Sequence, residues 1–378
     1  MKPKPHNEMR QQPKHTSQQI LLQLISYALT GSHKNSPHIV STPDWQEIFT
    51  LTKRQGLSQL VWQGVERLTS EGKIASEQAP SRQVKLSWAY HNESLKERYN
   101  RQKRVIVKLA SVLRSRNIEL MVLKGYALSL CYATPERREC GDVDIWMRGN
   151  QSRGDEALKE LLGVDIDSSK HHHTTFRLDG VMVENHYDFI NVHSHASNRE
   201  LERELKSLAL EATAIEIEGE RIYIPNVRFH SLFLLRHTAS HFAAAEISLR
   251  HIVDWAMFVE RHYKEIDWQW LRATARRFNL ELFLDTLNSL VSRVCGTDLS
   301  LMPGTKRHEE LEERVIRDIL APEFSETKPT TGLCRILSFK LRRWWANRWK
   351  HKMVYSDSLA GTFATQLWSH LLKPKSFK

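Results

Sequence analysis

Asp142 and Asp144 stand two positions apart in the stretch DVDIWM. In an extended strand, residues i and i+2 face the same side. The two carboxylates are therefore predicted to project together, with Val143 and Ile145 turned toward a core. Like charges held this close raise each other's pKa unless a cation sits between them. Magnesium suits that role, because a few carboxylates and substrate phosphate oxygens satisfy it. An Asp-x-Asp pair by itself is common on solvated strands. A second stretch, VMVENHYDFI at 181–190, adds to it. Val181, Val183, Tyr187 and Phe189 make one apolar face, and Glu184, His186 and Asp188 make the other. Glu184 is the expected third carboxylate, either a metal ligand or the base that takes a proton from an attacking hydroxyl. A merely solvated strand face is the competing reading.

Further groups fit phosphate chemistry. Lys124-Gly125 follows the apolar run IELMVLK. Glycine permits a tight turn whose following N–H groups can face a phosphate, and Lys124 adds a point charge. Arg137 and Arg138 precede the Asp-x-Asp and are expected to neutralise a triphosphate, unless they are simply solvated. Arg250 and Asp254, four apart on a helix, share a face. They are expected to form an ion pair there, or else Arg250 reaches the nucleotide. The chain has 19 histidines, among them the run His171 to His173. With no cysteine nearby, that run does not read as a zinc site. Either His172 or His173 touches phosphate at the rim, or the run is a polar loop.

These groups need elements to hold them. Residues 1–16 are polar and basic and are expected to be disordered. From 17 to 112 the apolar spacing predicts helices, with Asp44 as an N-cap and a break at Gly56. From 113 to 228, short alternating runs mixed with helices predict an α/β (α+β) core. Within it, Glu218-Gly219 separates two alternating segments in a hairpin pattern. From 229 to 320 the chain reads as a second helical domain. The last segment, 321–378, combines a loop with one basic aromatic helix at 335–352. That helix either binds RNA or an anionic membrane surface, or packs its tryptophans on the body.

The chain has 378 residues, 40% of them hydrophobic and 26% charged, with a formal net charge of +11. That is a soluble globular mix long enough for two or three structural units, and its charge favours acidic partners. The four cysteines, Cys131, Cys140, Cys295 and Cys334, form no CxxC and read as reduced thiols rather than a disulfide framework. The apolar run from Ile20 to Leu29 is too short and mixed to span a membrane and lacks a small-residue cleavage site. A cytoplasmic location is expected.

The order of strand, Lys-Gly turn, short helix, arginines, Asp-x-Asp strand and acidic strand resembles the polymerase-β-like nucleotidyltransferase superfamily. It is most similar to a bacterial group of uncharacterised nucleotidyltransferases. The residues that carry this resemblance are Leu123-Lys124-Gly125, Tyr132, Arg137 or Arg138, Asp142-Val143-Asp144, His171-His172 and Glu184-Asn185-His186. Farther along, Leu235-Arg236-His237, His241, Leu249-Arg250 and Asp254 match as well. Two positions depart from the pattern: Tyr126 follows Gly125, and Asn185 replaces an apolar residue. The resemblance implies a polymerase-β-like core between helical regions. It implies transfer of a nucleoside monophosphate from a nucleoside triphosphate, expected to be ATP, to an acceptor hydroxyl. Two Mg²⁺ (or Mn²⁺) ions would be held by Asp142, Asp144 and Glu184. Phosphate or nucleotide would meet Lys124, Gly125, Arg137, Arg138, His172, His186 and Arg250. Two alternatives remain: a catalytically degenerate module that binds nucleotide or RNA, and a toxin-like enzyme that modifies tRNA or protein. The acceptor and the oligomeric state are not encoded in these patterns.

Overall fold

The computed structural model describes residues 16–31, 37, 39, 42–170, 172–192, 195, 197–244, 246–327 and 329–357, with the side chains of 333, 334 and 337 left out. The expected disordered tail therefore lies outside the described residues except for Thr16, as do His171, the side chain of Cys334 and residues 358–378.

A mixed six-stranded sheet in the order β3-β4-β2-β1-β6-β5 forms the centre. Its strands are β1 (Met121–Val122), β2 (Val143–Trp146), β3 (His173–Leu178), β4 (Val181–His186), β5 (Thr213–Ile217) and β6 (Glu220–Ile224). Strand β2 runs parallel to β4 and antiparallel to β1, and β1 runs parallel to β6. Each outer pair closes through a two-residue turn in the left-handed region, Asp179-Gly180 (φ 48° and 80°) and Glu218-Gly219 (φ 50° and 82°). Such turns match the twist of the strands they join.

Around the sheet are α1 (Ser17–Thr30), α2 (Trp45–Gln55), α3 (Ser58–Ser70), α4 (Arg82–Arg114), α5 (Lys124–Ser129), α6 (Gln151–Leu162) and α7 (Asn198–Leu208). The chain continues through α8 (Val227–Ala244), α9 (Leu249–His262), α10 (Trp268–Arg277), α11 (Glu281–Cys295), α12 (Glu309–Leu320), α13 (Leu333–Ala346) and α14 (Arg348–Val354). Asp44 caps α2, its side chain accepting from the Glu47 N–H at 2.9 Å, and α2 ends at Gly56.

Two cores result. On one face of the sheet, Val143, Ile145, Val181, Val183, Phe176 and Leu178 pack against α6 and the second half of α4, from Tyr99 to Leu113. On the other, Trp146, Phe189 and α8 join a core shared by α1–α3 and α9–α12. The N-terminal and C-terminal helices thus bury their apolar faces in one another, beside the sheet.

Several expectations change in detail. The run 118–124 yields only two strand residues, because α5 starts at Lys124 itself. The alternation predicted over 181–190 ends at His186, and Phe189 then turns into the core shared by the helices. The single basic helix at 335–352 is two helices, broken at Asn347. Lys350 is buried against Asp318 at 2.5 Å, and Arg314 lies 4.0 Å over the Trp349 ring, so α14 packs on the body, while Trp345 of α13 stays 60% exposed. The three described cysteines that bear side chains are unpaired. Among the described residues no helix is long and apolar enough to cross a membrane.

Candidate active site

Parallel register sets Asp144 of β2 directly beside Glu184 of β4. Both point away from the face that carries Val143, Ile145, Val181 and Val183, as strand alternation requires. His186, two residues beyond Glu184, shares its face. Asp144, Glu184 and His186 offer ligand atoms that lie within 4.8 Å of one another, the one such group among the described residues. His186 Nε2 lies 2.9 Å from Asp144 Oδ1 and 3.7 Å from Glu184 Oε2. His173, across the hairpin on β3, adds Nε2 at 3.8 Å from Glu184 Oε1. It is buried rather than at a loop rim, and burial, His186 and Lys124 push its pKa down to about 4, so it is a neutral ring.

Charge is unevenly shared here. Burial alone would raise the Asp144 pKa, but Lys124 Nζ at 2.8 Å and His186 more than offset it and hold the carboxyl well below the usual range. Asp142 goes the other way, raised by burial and then by Asp144. Glu184 is also raised, by burial and then by Asp144 and Asp142. A divalent cation would relieve that repulsion. His186 Nδ1 lies 3.2 Å from the Asp188 carbonyl oxygen, to which it must donate. Nε2 then faces the Asp144 carboxylate, where a cation can be shared between them. Two carboxylates and one imidazole fit a metal such as Mn²⁺. They also fit Mg²⁺ if His186 only orients Asp144.

Beside the trio opens a cavity of about 300 Å³, lined on one wall by Lys124, Gly125, Gly141, Asp142 and Asp144. The opposite wall comes from α8 (His237, Thr238, His241) and α9 (Arg250, His251, Asp254, Trp255). A Cβ on Gly125 would sit 3.4 Å from the Asp142 carbonyl oxygen, so the turn and the Asp-x-Asp strand are in close contact.

With this geometry in place, the chain matches the family model described as "Uncharacterised nucleotidyltransferase" over residues 41–296. The chain belongs to that family. No curated protein matches it. A crystal structure described as an antigenic nucleotidyltransferase-like protein from Paracoccidioides brasiliensis aligns with 47% of this chain and 88% of its own, at 18% identity and a TM-score of 0.31.

In this nucleotidyltransferase the arginines expected at a triphosphate divide. Arg138 is buried and forms a two-pronged ion pair with Asp254, and its Nη1 donates to the Gly125 carbonyl at 3.0 Å. Tyr132 Oη also donates to Asp254, at 2.7 Å. The expected Arg250–Asp254 pair is therefore replaced, because both Asp254 oxygens are taken by Arg138 and Tyr132. Arg250 donates instead to the Glu139 carbonyl at 2.9 Å and lines the cavity. Arg137 faces away, into a separate cavity with Arg261 and Glu260. His172 packs edge-on against His173, with ring centroids 4.3 Å apart.

Both departures from the family pattern point away from the cavity. Tyr126 stacks on Tyr99 in the α4 core, and Asn185 Nδ2 donates to Asp155 of α6 at 2.9 Å. The α8–α9 wall carries no strand alternation and so no local sign of a site. His237 and His241 stand one helical turn apart, a visible spacing, yet the same spacing occurs in any buried helix. Their pKa values are lowered by burial and then by Lys124, and that of His251 is pushed down to about 3 by burial and Arg250. His251 Nδ1 accepts from the Ser248 N–H at 3.1 Å, which leaves its ring proton on Nε2.

Proposed function

We propose that this protein moves a nucleoside monophosphate from a nucleoside triphosphate, ATP being the first to test, to an acceptor hydroxyl. One observation carries the reading: Asp144 and Glu184 sit in register with His186 between them, beside Lys124 and a cavity walled by neutral imidazoles. Asp144, Glu184 and His186 would hold a divalent ion, Mg²⁺ or Mn²⁺, with Asp142 adjacent. Such an ion supplies charge neutralisation at the phosphates. Lys124, kept protonated by Asp144, and the Gly125 turn would meet the phosphates, with Arg250 facing them from α9. Glu184 does not line the cavity, whereas Asp142 does, which makes Asp142 the carboxylate within reach of an acceptor hydroxyl there. Asp142 would take the hydroxyl proton as the acceptor oxygen bonds to the α-phosphorus and pyrophosphate leaves. A cytoplasmic setting fits a nucleotide substrate.

The test is incubation with α-labelled ATP, GTP, CTP or UTP and Mg²⁺ or Mn²⁺, with total cell RNA, protein and small-molecule fractions as acceptors. Label in an acceptor that disappears with Asp144→Asn supports transfer. Label that persists in that variant sinks the assignment. The 2.8 Å Lys124–Asp144 pair favours a second reading, nucleotide binding without turnover, because the ammonium stands on a carboxylate the ion needs. Binding of ATP with no transfer to any fraction would select it.

A further inference from the structure

A further cavity, of about 470 Å³, shares Gly141 with the first. Arg98 and Arg101 of α4, Arg177 of β3 and the buried Gln102 line it, with Gly180 at the β3–β4 turn. The strand pairing sets Arg177 opposite Met182, as Thr175 is opposite Glu184. Arg177 therefore lies on the same sheet face as Glu184, one row of alternation farther along the ribbon, about 7 Å away. None of the three arginines makes a direct ion pair among the described residues, though Arg98 acts on Glu139 at longer range, unlike Arg104, Arg114 and Arg116, which pair with Glu97, Glu220 and Glu160. The Gln102 Nε2 donates to the Gly141 carbonyl at 3.0 Å and so ties α4 to the glycine that both cavities share.

We propose that this cavity binds phosphate groups of the acceptor. Arg98 and Arg101 on α4, with Arg177 at the strand edge of the concavity, suit phosphates, which guanidiniums can hold in a fork. Gly141 is common to both cavities and precedes Asp142, so a phosphate-bearing acceptor anchored here could extend past the glycine to the proposed base. The shared chemistry is the phosphate ester, whether in a nucleic-acid strand or a small phosphorylated molecule. The inference goes beyond the transfer reading and is tested by binding, so a protein that binds but never transfers would fail that reading alone.

The experiment measures binding of two probes to the full chain and to Arg98→Ala/Arg101→Ala/Arg177→Ala. The probes are a fluorescein-labelled single-stranded RNA decamer, read by anisotropy across salt, and inorganic tripolyphosphate, read by calorimetry. A control, Arg116→Ala/Arg293→Ala/Arg342→Ala, removes the same charge from paired surface sites. The cavity variant is expected to lose at least about tenfold in affinity, and its salt slope for RNA to fall by about one per phosphate contact removed. Loss for RNA and tripolyphosphate together, or for tripolyphosphate alone, assigns the cavity to phosphate in general. Loss for RNA alone assigns it to a strand. The inference is overturned if neither probe binds, or if the control loses as much as the cavity variant. Circular dichroism and thermal melting check that the exposed substitutions leave the fold intact.

Discussion

Arg138 and Asp254 form a buried, two-pronged ion pair, Nε to Oδ1 and Nη2 to Oδ2, both at 2.8 Å. It fastens the segment before the Asp-x-Asp strand to helix α9, and so fixes the width of the cavity. Removing one partner leaves an uncompensated buried charge. Asp254→Ala should cost about 3–5 kcal/mol, read as a lower urea midpoint. Arg138→Lys should not restore it, since an ammonium cannot make both bonds. An unchanged midpoint in Asp254→Ala would show that the pair is idle.

Asp142 and Asp144 should separate in their effects. Asp144→Asn is expected to weaken Mn²⁺ binding at least about 10–100-fold, measured by electron paramagnetic resonance. Asp142→Asn should bind the ion nearly as well but lower transfer about 10²–10⁴-fold, as loss of a base does. Equal loss of ion affinity in both variants would make Asp142 a ligand rather than the base.

His186 discriminates between metals. If Nε2 is a ligand, His186→Ala should lower Mn²⁺ affinity about 10–100-fold and Mg²⁺ affinity less, because imidazole suits Mn²⁺ better. Parallel losses for both ions would place His186 behind Asp144 as its orienting partner.

Buried neutral histidines should make the fold acid-labile. Burial pushes His195, His230 and His251 down to about 3, from 6.5 when unfolded. The unfolded chain binds those protons first, so their stabilisation is complete above pH 6.5 and is lost as pH falls. Glu139 and Glu202, raised by burial to about 7 from 4.5, act oppositely and lose stabilisation as pH rises through 7. His237 and His241 are lowered too, so the histidines outweigh the glutamates. The urea midpoint should therefore fall from about pH 6.5 to about pH 5. A rise over that interval would mean the two glutamates dominate.

Gly154→Ala tests the packing under β2. A Cβ there would lie 1.7 Å from Met147 Sδ, so α6 or Met147 must move. Overpacking of this kind costs about 1–3 kcal/mol, against a helix-propensity gain near 1 kcal/mol. A net loss in thermal stability is expected, and a gain would show that Met147 shifts freely.

Much of this architecture was legible from local patterns. Alternation placed Asp144, Glu184 and His186 on strand faces, and the Glu218-Gly219 turn announced its hairpin. The same Asp-Gly signal stands at Asp179-Gly180, but the three histidines before it carry no strand alternation, so local pattern does not predict β3. Arg138 could not be read as buried, because its partner lies 116 residues away and no local periodicity reports such a contact. The single basic helix failed at Asn347 for a related reason. Burial of Lys350 against Asp318 is decided by tertiary packing, and composition alone predicts a solvated charge.

The far wall of the cavity has a bearing on biosynthesis. Every carboxylate of the trio lies before residue 187, whereas the imidazoles that face them come from α8 and α9, between residues 237 and 251. A nascent chain that has emerged only as far as β6 would carry its acidic groups on an open sheet, with nothing to exclude water from them. The enclosed cavity can form only after the later helices leave the ribosome and dock, so an early-terminated product would keep Asp144, Glu184 and His186 but lack the compartment beside them.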